Sequence, residues 1–348
     1  MNELAMSRRL TILGDRFVLP SIVEGAVRAV VGDALEISTH QMLWPDAATV
    51  SGSPGDPVRE YSGTEAEVAR AAFGAEALIV HMAPVTRKTI EALPDLKFIA
   101  VCRGGPSNVD AAAARERGIR LVKAPGRNAN AVAEFTVGSL IAATRSMIPG
   151  VNEVRAGEWS RAHYRHSQAG RELCDMTVGL VGYAHIGRKV SKLFQAFGSK
   201  ILFSDPFQTM TDEDRRAGVE QVSFDALMAR ADVVSLHARL TDGTRKIMNR
   251  DAFSKMKRGM VFINNARGEL VDEVALEEAM AADIVAMAIL DTFDPEPPRS
   301  DNPLFKRANV FATPHIAGAS KSSTQVVADI VADDLKKWLE GAPSANQV

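Results

Sequence analysis

The chain has 348 residues, which is long for one domain and suits two domains that each bury a core. Its 41 basic and 43 acidic residues leave a formal net charge of -2, so charge argues against a nucleic-acid partner or an anionic membrane surface. The two cysteines, Cys102 and Cys174, argue against a disulfide framework and predict free thiols in a reducing compartment.

No targeting segment or membrane span is predicted. Met1–Arg9 contains no apolar h-region, and no apolar run approaches the ~18 residues that cross a bilayer. We therefore expect a cytoplasmic protein with neither a membrane partner nor a nucleic-acid partner.

The first part of the chain alternates short aliphatic runs with helical patterns, which is typical of parallel sheets covered by helices. The predicted fold class is therefore α/β. Ala47–Ser62 is rich in Gly, Pro, Ser and Asp and predicts a surface loop. The predicted strands of this part are Leu10–Leu13, Ala34–Ser38, Ala77–His81, Phe98–Cys102 and Arg120–Lys123.

The second part begins with one long apolar helix, predicted over Asn128–Ile148, and a polar stretch over Val151–Leu173. Six strands are predicted after it, at Thr177–Gly182, Lys200–Ser204, Val233–His237, Met260–Asn264, Ile284–Leu290 and Val310–Thr313. Six parallel strands complete a dinucleotide-binding domain, so the terminal helix, Ser322–Glu340, should pack on the first domain. The predicted organisation is two Rossmann-like parallel-sheet domains. A dinucleotide-binding domain (residues 128–318) is inserted in a flavodoxin-like substrate domain (residues 1–127 and 319–348).

The run Val178–Gly187 places a buried strand directly before a glycine turn and a helix. Gly182 would permit the turn, Gly187 would let the helix pack closely on the strand, and the N–H groups at the helix start would face a pyrophosphate. Ala184 stands where the G-x-G-x-x-G motif has its second glycine, which predicts a slightly displaced pyrophosphate. The alternative is a glycine-containing turn without a ligand.

Asp205 ends the next predicted strand, 23 positions after Gly182. An acidic residue there can accept hydrogen bonds from the ribose hydroxyls of a dinucleotide, or else cap a turn before Pro206. Pro206 and Phe207 follow it without an arginine that could bind a 2′-phosphate. The sequence therefore favours NAD over NADP.

Three predicted strand ends carry polar segments, at Asn264–Gly268, Asp291–Pro297 and Thr313–Gly318. The carboxyl ends of strands line the ligand crevice of an open α/β sheet. An arginine there can bind a carboxylate and polarise the C2 oxygen, while a histidine donates or accepts a proton. A carboxylate behind that histidine fixes its tautomer and favours its cationic form. Taken singly, such residues are more often solvated or loop side chains.

At these residues the sequence resembles the D-isomer-specific 2-hydroxyacid dehydrogenases, the family of D-3-phosphoglycerate dehydrogenase and hydroxypyruvate reductase. The resemblance implies NAD-dependent transfer of a hydride between nicotinamide and C2 of a small D-2-hydroxy or 2-keto acid. It implies that His315 is the proton donor, Glu296 its paired carboxylate and Arg267 the substrate-orienting arginine. The matching segments cover nearly the whole chain and include Leu96–Lys97, Asn108–Asp110, Gly118–Ile119, Val132–Glu134, Asn265–Gly268, Val271–Glu273 and Thr313–Gly318.

The resemblance also implies binding residues. Asp291 would hold the nicotinamide carboxamide, and Gly104 and Gly105 would offer backbone N–H groups to the substrate carboxylate. The loop from His237 departs from the family's His-x-Pro-Leu-Thr pattern at Arg239. The predicted cofactor residues are Gly182, Tyr183, Ala184, His185, Ile186, Gly187, Asp205, His237, Ala238, Asn265, Ala266, Asp291, Ala317 and Gly318.

His81 is the predicted substrate residue at the strand end Val80–Pro84. D-3-phosphoglycerate dehydrogenases typically carry there an arginine that faces the phosphate, and a histidine is a poorer, pH-dependent partner. No regulatory domain is expected after Val348. We therefore expect a non-phosphorylated or sugar-derived hydroxy acid rather than 3-phosphoglycerate.

Two alternative functions are compatible with this fold. Formate or phosphonate oxidation is possible on the same fold, but formate dehydrogenases of this superfamily carry Gln where Glu296 stands. An NAD-sensing corepressor is the second alternative, and no basic or low-complexity segment supports it.

The predicted helix Asn128–Ile148 is more apolar than one buried face requires, and the family commonly dimerises there, so a homodimer is expected. No metal site is predicted.

Overall fold

The computed structural model describes residues 8–46, 49–50, 52–53 and 55–348. The predicted loop Ala47–Ser62 is thus described only in part, and most of Met1–Arg9 lies outside the described residues. The chain divides into two compact units. Unit 1 comprises Met1–Asn128 and Ser320–Val348, and unit 2 comprises Ala129–Ala319.

Parallel strands alternate with helices in both units, as the α/β prediction requires. The strands are β1 (Arg8–Gly14), β2 (Leu35–Gln41), β3 (Ala77–Val80), β4 (Phe98–Val101), β5 (Arg120–Lys123), β6 (Thr177–Val181), β7 (Lys200–Ser204), β8 (Glu220–Gln221), β9 (Val233–Leu236), β10 (Met260–Asn264), β11 (Val285–Leu290) and β12 (Val310–Ala312). The helices are α1 (Pro20–Val31), α2 (Glu65–Ala71), α3 (Arg87–Glu91), α4 (Ala111–Glu116), α5 (Ala129–Thr144), α6 (Met147–Arg155), α7 (His185–Ala196), α8 (Asp212–Arg216), α9 (Phe224–Arg230), α10 (Arg250–Ser254), α11 (Glu273–Ala281) and α12 (Lys321–Leu339).

Unit 1 contains a five-stranded parallel sheet in the order β2-β1-β3-β4-β5. Every residue of β3 and β4 is buried, which explains why these strands are continuous apolar runs without alternation. The C-terminal helix α12 packs on this sheet through Val327, Val331 and Leu335, in one core cluster with residues of α1 and β4. The strand order is that of a flavodoxin-like doubly wound sheet.

Unit 2 contains a seven-stranded parallel sheet in the order β12-β11-β10-β9-β6-β7-β8. The six predicted strands are confirmed, but the count of six is wrong. The additional edge strand, β8, consists of two exposed residues, Glu220 and Gln221, so it carries no apolar pattern that the sequence could display.

The prediction of one long helix over Asn128–Ile148 is also wrong. Helix α5 ends at Thr144 and α6 begins at Met147, with a bend of 62° between them. Ser146 takes a left-handed backbone conformation (φ 50°) at the break. Pro149 explains the end of α5, because a proline lacks the N–H of a continuing helix and its ring would clash with the carbonyl of Arg145. Pro149 is instead the third residue of α6, where a backbone N–H would have no acceptor within the helix, so proline is tolerated there.

Among the residues that the structure describes, no single helix is long and apolar enough to cross a membrane. Helices α5 and α6 meet the length and composition test only when they are joined across their bend.

Candidate active site

The turn between β6 and α7 has the geometry of a phosphate-binding loop. Gly182 takes a positive φ of 94°, and a Cβ atom added to it would lie 2.6 Å from the backbone of His237 and Ala238. A Cβ at Gly187 would lie 2.3 Å from the carbonyl oxygen of Gly182. Both positions therefore require glycine. Ala184 is the N-cap of α7 and makes no side-chain capping bond, so the first N–H groups of the helix are left for a ligand.

Two residues of this loop do not act in the way that their place in the motif suggests. Ala184 has a φ of -84°, outside the left-handed region that favours glycine, so the backbone at this position does not need the positive φ that a glycine permits. The Tyr183 ring is buried and stacks on Phe203, and its hydroxyl donates to Asp214 at 2.8 Å. The side chain of Tyr183 is therefore a core residue, and only its backbone can contact a cofactor.

Asp205 lies at the end of β7, as predicted, and it ties the glycine loop to this strand. Its Oδ2 accepts a hydrogen bond from the Tyr183 N–H at 2.7 Å, and its Oδ1 accepts one from the Phe207 N–H at 2.8 Å. The carboxylate is thus held in place by two backbone donors. Arg188 reaches the following loop, but its guanidinium donates to Asp214 at 2.7 Å and to the Thr209 carbonyl at 3.0 Å.

His315 and Glu296 form the predicted pair. Nδ1 of His315 lies 2.9 Å from both carboxylate oxygens of Glu296. The two side chains are 45% and 39% exposed, so a small molecule can reach them. Nε2 of His315 has no hydrogen-bond partner among the described residues. An imidazole held at Nδ1 with Nε2 open can exchange a proton at Nε2.

Asp291 is fully buried and holds the loop that carries His315. Its Oδ1 accepts from the Thr313 hydroxyl at 2.6 Å and from the Ile316 N–H at 2.8 Å. Its Oδ2 accepts from the Ala317 N–H at 2.8 Å. These bonds flank His315, which has a left-handed φ of 54°. The buried carboxylate therefore accepts hydrogen bonds from three donors. One of them is the N–H of Ala317, so this predicted cofactor residue uses its backbone N–H to bind Asp291.

Arg267 follows β10 and is exposed. Its Nη1 donates to the Ala266 carbonyl at 2.8 Å, and its guanidinium forms no ion pair with a described carboxylate. The guanidinium can therefore take a carboxylate ligand. The neighbouring Asn265 is buried, donates from Nδ2 to Thr136 at 3.0 Å, and has a buried Oδ1 without a protein partner. Gly268 is required, because a Cβ there would lie 2.0 Å from Phe293.

His237 lies after β9, beside the glycine loop, as predicted. Its Nε2 is 3.0 Å from the Ser235 hydroxyl, while its Nδ1 is buried without a partner. Burial lowers the pKa of His237 to about 3, so the ring is neutral at physiological pH. Ala238 follows it and is half-buried, with its backbone N beside Gly182.

The predicted substrate loop of unit 1 follows β4. Gly104 and Gly105 are exposed, and a Cβ added to either would meet no atom within 4 Å. Their backbone N–H groups have no partner in the described part of the chain. Open space above two free N–H donors suits a carboxylate ligand.

His81 is buried at the end of β3, and the structure pairs it with a residue that the sequence prediction missed. Its Nδ1 lies 2.6 Å from Oδ2 of Asp15, which follows β1. Asn108, also missed, donates from Nδ2 to the His81 carbonyl at 3.0 Å. Asp15 could have been found by the same rule that found Asp205, because it is a polar residue directly after a buried strand.

Within the described ranges, no group of three or more His, Cys, Asp or Glu residues is placed so that it could hold a metal ion.

The family was identified by comparison with known proteins. A model described as the NAD-binding domain of D-isomer specific 2-hydroxyacid dehydrogenases matches residues 137–317. The chain belongs to the D-isomer specific 2-hydroxyacid dehydrogenase family. The family resemblance, the fold class and NAD as the cofactor are thereby confirmed, and unit 2 contains the family's NAD-binding domain.

The proteins related to this chain carry several different enzyme names. A hydroxypyruvate reductase of Thermotoga maritima is 39% identical over 253 residues, which cover 72% of this chain and 80% of that protein. A D-3-phosphoglycerate dehydrogenase of Archaeoglobus fulgidus is 37% identical over 274 residues, covering 78% of this chain and 51% of that protein. The chain thus spans about half the length of the D-3-phosphoglycerate dehydrogenases that it matches.

A solved structure of similar fold is that of the TT0316 protein from Thermus thermophilus. It has a TM-score of 0.79 and 31% identity, and the match covers 98% of this chain and 99% of that one. The two-sheet architecture is therefore that of an experimentally observed fold.

Proposed function

We propose that this protein is an NAD-dependent D-2-hydroxyacid dehydrogenase that acts on a small 2-hydroxy or 2-keto acid. The observation that carries the proposal is the His315–Glu296 pair, which has an open Nε2 atom and lies on the same sheet as the glycine loop. The names of the relatives, among them a hydroxypyruvate reductase and a glycerate dehydrogenase, support this reaction class.

Each site residue has one chemical task in this proposal. His315 gives a proton from Nε2 to the oxygen at C2 during reduction and takes it back during oxidation. Glu296 keeps Nδ1 protonated and stabilises the imidazolium. Arg267 binds the carboxylate and polarises the C2 oxygen, and Gly104 and Gly105 donate to the carboxylate. Bound NAD(H) supplies or accepts the hydride.

The proposed cofactor contacts follow the strand ends of unit 2. The glycine loop and the start of α7, including His185 and Ile186, bind the pyrophosphate. Asp291 binds the nicotinamide carboxamide through Oδ2, which accepts one bond from the protein and can accept another. The loop residues His237, Ala238, Asn265, Ala266, Ala317 and Gly318 line the cofactor.

We propose NAD rather than NADP because the Asp205 carboxylate repels a 2′-phosphate and Arg188 is already bound to Asp214. Measuring kcat/KM for both cofactors tests this. Equal or better efficiency with NADP would contradict it, and Asp205→Ser should narrow the difference.

We propose a homodimer formed through helix α6, none of whose residues is buried. Its exposed apolar residues are Met147, Ile148, Val151 and Val154. Such a contiguous apolar surface is typical of a protein interface. Light scattering at micromolar concentration should give twice the chain mass, and Val151→Asp should give a monomer. A monomeric parent protein would refute the assembly.

We propose that the protein acts in the cytoplasm, with no nucleic-acid or membrane partner. Both cysteines are free thiols, which suits a reducing compartment, and the net charge of -2 suits a small-molecule enzyme. Expression of a tagged chain followed by fractionation tests the location.

The deciding experiment is a screen of 2-keto acids with NADH that follows the loss of NADH absorbance. Turnover of at least one acid by the parent protein, and its loss in His315→Gln, is the expected result. NADH binding without turnover of any acid would refute the proposed reaction and favour a cofactor-sensing role.

A further inference from the structure

Glu296 lies on an irregular loop between β11 and β12. The loop runs from Asp294 to Asn302 and presents the Glu296 carboxylate to Nδ1 of His315 at 2.9 Å. Prolines lack a backbone N–H, so a loop rich in them cannot build the ladder of backbone hydrogen bonds that fixes a strand or a helix. The position of Glu296 therefore depends on contacts with neighbouring elements. The prolines of the loop are Pro295, Pro297 and Pro298.

The chain is anchored in the core of unit 2 on both sides of this loop. Phe293, the residue before it, is buried, and a Cβ added to Gly268 would lie 2.0 Å from the Phe293 backbone. Leu304, two residues after the loop, is fully buried in the same core cluster. The rings of Phe293 and Phe305 meet edge to face, with their centroids 5.3 Å apart. The span between these anchors is the part that carries Glu296.

Glu273, the first residue of α11, holds the two ends of that span together. Its Oε1 accepts a hydrogen bond from the backbone N–H of Asp294 at 3.2 Å, and its Oε2 accepts one from Nδ2 of Asn302 at 2.9 Å. Asn302 is itself fixed, because its Oδ1 accepts from the Leu304 N–H at 3.0 Å. Glu273 is half-buried, so water competes less for these bonds than it would at an exposed carboxylate.

A second glutamate of α11 offers a comparison. Glu277, one turn after Glu273, lines the same groove beside the loop. Its carboxylate pairs with Arg307 at 3.6 Å, and that guanidinium lies outside the loop. The two glutamates thus share a helix and a groove, but they bind different parts of the chain.

We propose that Glu273 is a positioning residue for catalysis, which holds Glu296 where its carboxylate engages Nδ1 of His315. In this assignment Glu273 contacts neither substrate nor cofactor and acts only through Glu296. Without Glu273 the loop opens more often, and the fraction of molecules with an engaged His315 falls. The proposal rests on the proposed dehydrogenase function, in which Glu296 stabilises the charged ring of His315.

Limited proteolysis tests the loop without substrate or cofactor. Arg299 is exposed within the loop and offers trypsin a cleavage site before Ser300. Cleavage of a folded loop requires local opening, so its rate reports the open population. Glu273→Ala should speed cleavage after Arg299 by roughly tenfold or more, because two hydrogen bonds to a charged group are lost. Glu273→Gln, whose amide oxygen can accept one of the two bonds, should give an intermediate rate, and Glu277→Ala should give the parental rate.

Turnover tests the link from Glu273 to Glu296. Glu273→Ala should lower kcat, by no more than Glu296→Gln does, and should leave NADH affinity at the parental value. In the Glu296→Gln background the same substitution should cause no further loss, because the residue through which Glu273 acts has been removed. A purely structural role would instead lower kcat by the same factor in both backgrounds.

Two results would overturn the proposal, namely a parental cleavage rate in Glu273→Ala or equal losses of kcat in the two backgrounds. If Glu273→Ala does not fold by circular dichroism, Glu273→Gln and Asn302→Ala decide by the same measurements, since each removes one of the two bonds. If the parent protein reduces no acid, the dehydrogenase function fails and the catalytic role of Glu273 fails with it. Turnover by the parent protein together with parental cleavage in Glu273→Ala refutes the role of Glu273 alone.

Discussion

Both carboxylate oxygens of Glu296 lie 2.9 Å from Nδ1 of His315. The backbone that follows His315 is held by Asp291, which accepts hydrogen bonds from the N–H groups of Ile316 and Ala317. His315 itself has a left-handed φ of 54°, which non-glycine residues rarely adopt. Side chain and backbone are thus constrained together, so that one ring nitrogen is engaged and the other is open.

Replacing His315 with Gln should lower kcat by roughly 10²- to 10⁴-fold, because general acid catalysis is lost. NADH affinity, measured by fluorescence titration, should stay within about twofold of the parent value, because His315 is proposed to act on the substrate and not to bind the cofactor. A twofold change in affinity corresponds to well below 1 kcal/mol. His40→Gln, an exposed histidine on β2, is the matched control and should leave both quantities unchanged. Near-parental kcat in His315→Gln would contradict the assignment.

Replacing Glu296 with Gln should lower kcat in both reaction directions, because the carboxylate that holds Nδ1 of His315 and stabilises the charged ring is lost. Asp294→Asn, which changes an exposed carboxylate two positions earlier, should leave kcat unchanged. An unchanged kcat in Glu296→Gln would separate this carboxylate from the proton transfer.

Replacing Gly187 with Ala should weaken NADH binding by about tenfold or more. The new methyl would lie 2.3 Å from the Gly182 carbonyl oxygen and displace the loop, and overpacking of this kind typically costs about 1–3 kcal/mol. Gly25→Ala in α1 is the matched helical control, since its Cβ would meet no atom within 4 Å. That variant should be more stable to unfolding by up to about 1 kcal/mol, with unchanged NADH affinity.

His237, which is half-buried with its Nδ1 atom shielded from solvent, should make stability depend on pH. Burial lowers its pKa from 6.5 to about 3, so between these values the unfolded chain binds a proton that the folded chain does not. The free energy of unfolding should therefore fall as pH decreases below about 6.5, by at most about 1.4 kcal/mol per pH unit from this residue. Urea unfolding at several pH values should give a shallower decrease for His237→Asn than for the parent protein. Parallel curves would show that this histidine does not contribute.

The two thiols should differ in reactivity. Burial raises the pKa of Cys102 to about 12, whereas Cys174 is exposed. At neutral pH one thiol of the native protein should react with an aromatic disulfide reagent, and both should react after unfolding. Cys174→Ser should leave no reactive thiol in the native state. Rapid reaction of that variant would mean that the core of unit 1 opens readily.

The sequence by itself determined the fold class, nearly every strand and the positions of Gly182, Gly187 and His315. These features are local. A buried parallel strand is a short apolar run, and a polar residue directly after it lies at the sheet edge where ligands bind. The short edge strand β8 escaped prediction because it buries nothing, and the break between α5 and α6 escaped because the apolar pattern continues across Ser146 and Pro149.

Only the tertiary structure decided which of these residues meet. Asp15 and His81 are 66 positions apart and pair because β1 lies beside β3 in the sheet, although β2 separates them in the chain. Asn265 and Thr136 are 129 positions apart and meet because α5 packs in unit 2. Strand order and helix packing depend on how the whole chain buries its apolar surface. Periodicity within a segment records which face is buried, but not which partner covers it.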